Sequence, residues 1–132
     1  MLSRLLGLAL LALALPLGGC SIVGGIAAGT TNNISPKAVY TLRNGYDAAF
    51  LAPAANYAQL PRCAADAHFT TTAPCSEASV IRQLQKVDKV AQKALDDLQA
   101  FVIANPKLDA SALFQAAQLA ISNAETAIAL YK

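Results

Sequence analysis

Three cysteines carry the sulfur chemistry of this chain, and two of them bracket the segment CAADAHFTTTAPC, from Cys63 to Cys75. Two chemistries compete for that segment. Cys63, Asp66, His68 and Cys75 all present atoms that ligate zinc. Their spacing, however, lacks the CxxC and HxxxH pairs that mark strong zinc motifs, so a lone His and a lone Asp read as solvated loop residues and no metal is expected. The second chemistry is a disulfide, for which an even pair of cysteines is the natural stock. Thr70, Thr71 and Thr72 beside Phe69 would then form the tip of a stapled loop and a candidate contact surface.

Catalysis needs more than this loop supplies. A nucleophile requires a base within hydrogen-bond reach and a group that orients the base. His68 is the only histidine. Ser76 and Ser79 lie near it in sequence, but Ser76 reads as a helix cap. Asp96 and Asp97 are neighbours on a helix, so their side chains diverge by about 100°. Asp47 has Arg43 one turn before it, an ordinary pair on a helix surface, and Glu125 stands among alanines. No convergent acid–base set emerges, so neither an enzyme nor a cofactor is expected. Tyr46, Phe50 and Tyr57 read as core and edge, and no aromatic cluster is expected to build a pocket.

The third cysteine sits in a different setting. Met1-Leu2-Ser3-Arg4 places one positive charge ahead of an apolar stretch from Leu5 to Leu17, and small residues follow. That is the three-part layout of a secretory leader. The apolar core is short of the roughly 20 residues a spanning helix needs, and Pro16, Gly18 and Gly19 break it. Leu17-Gly18-Gly19-Cys20 resembles the lipobox of bacterial lipoproteins, with Gly18 the least typical position. The resemblance covers residues 1–20 only. It implies that the Cys20 thiol is alkylated with diacylglycerol, that cleavage falls before it, and that the new N-terminus is acylated, palmitate being one such chain. Several chains anchor firmly where a single chain binds only marginally. Ser21, rather than Asp, then implies the outer membrane by enteric-type sorting.

Two other readings of this terminus stay open. No charge occurs between Arg4 and Lys37, and Gly25 and Gly29 have helix-packing spacing, as an uncleaved single-pass anchor would show. A plain secreted protein is the other. In every exported case the compartment is oxidising, which favours the Cys63–Cys75 disulfide. Closing a loop of that size contributes about 3 kcal/mol in the chain-entropy model.

Composition bounds the partners. The chain has 132 residues and a formal net charge of +2. Ten basic residues against eight acidic ones give no basic patch, so nucleic acid is not an expected partner. Trp is absent and aromatics are few, so a core must be built from Leu, Ile, Val and Ala. Such small residues let helices approach but bury little area each, and a covalent staple suits so small a domain.

The elements that position these residues read as helices. Residues 1–19 are the leader. Residues 20–34 are the lipidated N-terminus and a flexible tether with a reach on the order of 20 Å. Its GGIAAGT lacks the Lys of a phosphate loop. Residues 35–132 form the folded domain.

Ser35-Pro36 starts a first helix with Val39, Leu42, Tyr46, Ala49, Phe50, Tyr57 and Leu60 along one line. Pro53 is expected to kink or split it near Leu51–Ala52, and it should end near Leu60-Pro61. Ser76-Glu77 opens a second helix, whose seam Val80, Leu84, Val87, Ala91, Ala94, Leu98 and Phe101 steps by 4 and 3. Ile81, Leu95 and Val102 flank that seam. Asn105-Pro106 stops it. Asp109 caps a third, with Ala110, Phe114, Ala117, Ile121, Ala124, Ile128 and Tyr131 in line. The expected fold is all-α, an up-down-up three-helix bundle with a disulfide-closed loop between helices one and two.

Taken together, the residues lead to an expectation of a small lipoprotein of the cell envelope, held by membrane lipid through Cys20 and facing the periplasm. It would act without catalysis, as a binding module for another envelope protein. The alternative is a structural or lysis-related lipoprotein of phage or prophage type.

Overall fold

The computed structural model describes residues 33–131, and these are mostly helical. Helix α1 runs from Pro36 to Tyr46, a π-helical turn from Asp47 to Leu51, α2 from Ala52 to Gln59, α3 from Ala78 to Ala104 and α4 from Ser111 to Ala129. Because α1, the π turn and α2 follow one another without a gap, they form one continuous first segment. Among the described residues there is no β-strand; a single isolated bridge pairs Arg62 with Ser76.

Local chemistry accounts for the start of α1. Ser35 is extended (φ −78°, ψ 152°), and its side chain accepts from the Ala38 N–H at 3.2 Å. Pro36 follows where a missing N–H is harmless. The effect of Pro53 differs in form from the expected break. Pro53 lacks a donor and crowds the carbonyl four residues back. The chain accommodates this by widening the turn just before it, where the Ala52 N–H bonds to the Asp47 carbonyl. Such π turns insert one residue without ending the helix. Tyr46 and Phe50, straddling that turn, stack with centroids 5.3 Å apart.

The first segment opposes α3 in direction. Arg43 pairs with Asp96, the Tyr46 hydroxyl donates to Asp88 at 2.6 Å, and Tyr57 meets Glu77. Residue numbers rise on one side as they fall on the other. Asn105 caps the end of α3, and its N–H bonds to the Phe101 carbonyl at 2.8 Å. Residues 105–110 then turn the chain into α4, which packs along α3. Ala91, Ala117 and Ala124 are fully buried; side chains this small permit close approach of the two helices. Leu95, Leu98, Ile121 and Ile128 fill the same core, with Leu42, Tyr46 and Phe50 from the first segment.

Two starts are placed differently from the sequence expectation. Ser76 does not cap α3: the capping position is Glu77, with no side-chain cap bond. The Ser76 hydroxyl is turned inward and donates to the Leu60 carbonyl at 2.9 Å. At α4 the capping position is Ala110, yet the Asp109 carboxylate accepts from the Ser111 N–H at 2.8 Å, so it serves the same orphan donor from one residue further out. That bond holds the Asp109 carboxyl below its ordinary pKa.

The α3 seam also drifts. Val80, Leu84, Ala91 and Leu98 are buried as expected, but Val87, Ala94 and Phe101 are half-buried while Leu95 and Val102 are buried. A straight α-helix turns about 20° per heptad away from a strict 3.5-residue repeat, so the buried stripe slides onto the flank. The α4 line holds from Ala110 to Ile128, all of it buried.

Candidate functional site

The loop between α2 and α3 is closed twice. Cys63 and Cys75 form a disulfide, with Cα atoms 4.9 Å apart and a sequence separation of 12. Beside it runs a backbone clamp. The Ser76 N–H bonds to the Pro61 carbonyl at 2.8 Å, and the Cys63 N–H bonds to the Ser76 carbonyl at 3.2 Å. Ser76 is 1% exposed, the one buried polar residue of the described chain. Burying a hydroxyl is costly unless it is bonded, and the Leu60 carbonyl meets that need.

Glu77 organises the far side of the loop. Its backbone N–H donates to the Tyr57 hydroxyl at 2.9 Å, and its carboxylate accepts from the Phe69 N–H at 3.1 Å. His68 Nδ1 lies 3.4 Å from the other carboxylate oxygen. The Phe69 bond, with His68 adding to it, lowers the Glu77 pKa below the ordinary carboxylate value. Fixed in this way, the Phe69 ring turns inward. It meets Tyr57 edge-on at 5.7 Å and Tyr131 at 5.5 Å, while Tyr57 and Tyr131 lie 4.9 Å apart. Burial in this trio raises the Tyr131 pKa, with Tyr57 and Glu77 adding to the shift.

An open cleft of about 540 Å³ adjoins the trio. Its helical wall is Pro53, Asn56, Tyr57 and Leu60 with Tyr131, and its loop wall is Phe69, Thr71 and Pro74. No lining residue is charged. Ring faces, two prolines and a few amide and hydroxyl groups match the make-up of sites that take ligands by contact and orient them with sparse polar groups. This aromatic cluster overturns the expectation that none would build a pocket. Phe69 and Tyr131 carried no helical-period signal that linked them to Tyr57, and only the fold brings the three segments together.

The other singled-out residues do not converge. Of the four residues with ligand atoms, Cys63 and Cys75 have their sulfurs bonded to each other, and His68 is largely exposed and turned to Glu77. Among the described residues no group of three or more His, Cys, Asp or Glu is gathered to hold a metal ion. Ser79 and Asp66 are exposed, and Glu125 is half-buried on α4. Asp96 and Asp97 part as their spacing requires, one to Arg43 and the other to Lys93 at 2.7 Å. Arg43 therefore reaches across to α3 instead of pairing with Asp47 on its own helix. Cys20, the leader and the tether as far as residue 32 lie outside the described residues; Ile34, expected to end the flexible tether, is half-buried against the core. No helix among the described residues is long and apolar enough to cross a membrane. No family model, curated protein or solved structure matches this chain.

Proposed function

We propose that the chain is a lipid-anchored envelope protein that works by binding, with the aromatic cleft as its contact face. The cleft carries this reading: a neutral, ring-lined groove next to a doubly closed loop is built for contact. The anchoring half of the reading is supported by Leu17-Gly18-Gly19-Cys20 behind a short apolar leader. The disulfide suits an oxidising compartment such as the periplasm.

In this reading the helices form an up-down-up bundle, supported by the antiparallel pairing of Arg43, Tyr46 and Tyr57 with Asp96, Asp88 and Glu77. The tether enters before α1, at the end opposite the cleft. The first segment, from Pro36 to Gln59, spans about 36 Å at the helical rise. The cleft is lined from Pro53 onward and so lies toward the end of that segment remote from Pro36, where an envelope partner can reach it.

Site-specific photocrosslinking tests the contact face. A crosslinker at Thr71, on the cleft wall, is expected to trap one discrete envelope adduct in intact cells. The same group at exposed Val90 on α3 is expected to trap none of it. Equal adducts from both positions, or none from Thr71, would refute the assignment of this face.

A further inference from the structure

We propose that the end of the fold where the tether joins is a bilayer-contact surface: Tyr40, Ile103 and Leu108 sit in the headgroup boundary of the membrane to which lipid at Cys20 holds the chain. This rests on that lipid anchor and is independent of the cleft, which lies toward the other end of the first segment.

Six large apolar side chains are exposed among the described residues: Tyr40, Val90, Ile103, Leu108, Leu119 and Leu130. Three of them belong to one end. Arg43 on α1 pairs with Asp96 on α3. Seven residues back from Arg43 is Pro36, and seven on from Asp96 is Ile103. Helices that rise equally in opposite directions therefore set Ile103 level with the start of α1. Ile103, two turns beyond Asp96, keeps to the flank of α3 that faces α1, and Tyr40, three residues before Arg43, keeps to the matching flank of α1. Leu108 lies in the turn between α3 and α4, which closes the same end.

That turn presents Leu108 on a fixed backbone. The Leu108 N–H bonds to the Asn105 carbonyl at 3.0 Å, and Asn105 is itself held to the Phe101 carbonyl through its N–H and, at 3.1 Å, its side-chain amide. Apolar surface held out on a bonded turn gains nothing from water and gains free energy where hydrocarbon meets it.

The occupant follows from where the described chain begins. Ile34 packs against the core next to the α1 start, so the tether departs beside these three residues. Asn33 is 13 residues from Cys20, and a coil of that length and small-residue composition reaches on the order of 20 Å. Contact with the bilayer is then intramolecular, at an effective concentration on the order of millimolar. A patch too small to bring a free protein to lipid suffices under that condition. The charges agree. Within residues 33–40 and 103–110 they are Lys37 and Lys107, both exposed, and Asp109, whose carboxylate is taken up by the Ser111 N–H. Ammonium groups beside apolar side chains suit anionic headgroups, and a tyrosine, apolar with a polar tip, suits the boundary itself.

The chain contains no Trp, so one introduced Trp reports its own surroundings. The test uses the chain extracted from membranes, its lipid mass verified, in vesicles of equal parts phosphatidylglycerol and phosphatidylcholine with brominated acyl chains. Leu108→Trp should lose most of the emission it shows in unbrominated vesicles, and emit at shorter wavelength. Val90→Trp and Leu130→Trp, which replace residues exposed still further, should keep theirs. Adding Ile103→Asp to Leu108→Trp should restore the emission to that of Val90→Trp, with helical circular dichroism unchanged. A lipid-bearing Leu108→Trp chain untouched by bromine overturns the proposal, and a blue shift without quenching then marks a second copy or another protein on this end. Equal quenching at all three positions overturns it as well, since no face is then selected. A chain without lipid mass overturns the anchor, and this contact with it.

Discussion

The Tyr57 hydroxyl, at the end of α2, lies 2.9 Å from the backbone nitrogen of Glu77 and accepts its proton. One bond thus joins the helical wall of the cleft to the start of α3, where N–H groups have no partner within their own helix. Tyr57 is 1% exposed, so water cannot replace the phenol.

Tyr57→Phe keeps the ring trio and orphans the Glu77 N–H. It should cost about 1–3 kcal/mol by denaturant unfolding, the penalty of one unmet buried donor. Tyr57→Ala also deletes a buried ring and should cost about 3–5 kcal/mol. If the two variants prove equally stable, the packing role of the ring is refuted.

Ser76→Ala removes the hydroxyl that the Leu60 carbonyl accepts from. A loss of about 1–2 kcal/mol is expected, measured with the disulfide intact so that only the clamp is read. A variant as stable as the parent would mean that the disulfide alone closes the neck.

Tyr46 and Asp88 form the mid-molecule link between α1 and α3. Burial together with the Asp88 bond pushes the Tyr46 hydroxyl well above the ordinary phenol pKa, so it stays protonated and donating across the working range. A double-mutant cycle of Tyr46→Phe and Asp88→Asn should return a coupling of about 1–2 kcal/mol. The more exposed Arg43–Asp96 pair should return at most about 1 kcal/mol and weaken with salt. Additivity at Tyr46 and Asp88 would dissolve the link.

Glu77 makes the loop wall acid-sensitive. Its folded pKa is lowered, first by the Phe69 N–H and then by His68. A depressed carboxyl contributes stability that is present above its unfolded pKa, about 4.3, and lost as pH falls through the lower folded value. The Phe69 amide shift should therefore titrate below the ordinary Glu range, and Glu77→Gln should flatten the curve. An inflection at or above the ordinary value would contradict the bond.

Much of the architecture was legible because helical periodicity is local information. The α4 line from Ala110 to Ile128, the Ser35-Pro36 start and the Asn105-Pro106 stop all follow from near neighbours, and the Cys63–Cys75 pairing from the even pair of cysteines that bracket one loop. The α3 seam slipped because a heptad was read onto a helix that keeps its own 3.6-residue turn, moving burial to Leu95 and Val102. Ser76 looked like a cap by type and position. Its inward role depends on the Leu60 and Pro61 carbonyls, which only the loop's return brings near. The cleft was hidden for the same reason: Tyr57, Phe69 and Tyr131 belong to three separate segments, and no spacing rule joins them.

Intact mass of the full chain extracted from membranes, beside its Cys20→Ala variant, tests the anchoring claim most directly. The account predicts a polypeptide that begins at Cys20 and carries diacylglyceryl and acyl mass, and an unprocessed, lipid-free precursor from Cys20→Ala. A parent chain without lipid mass, or a Cys20→Ala product with the same size and lipid as the parent, would contradict it.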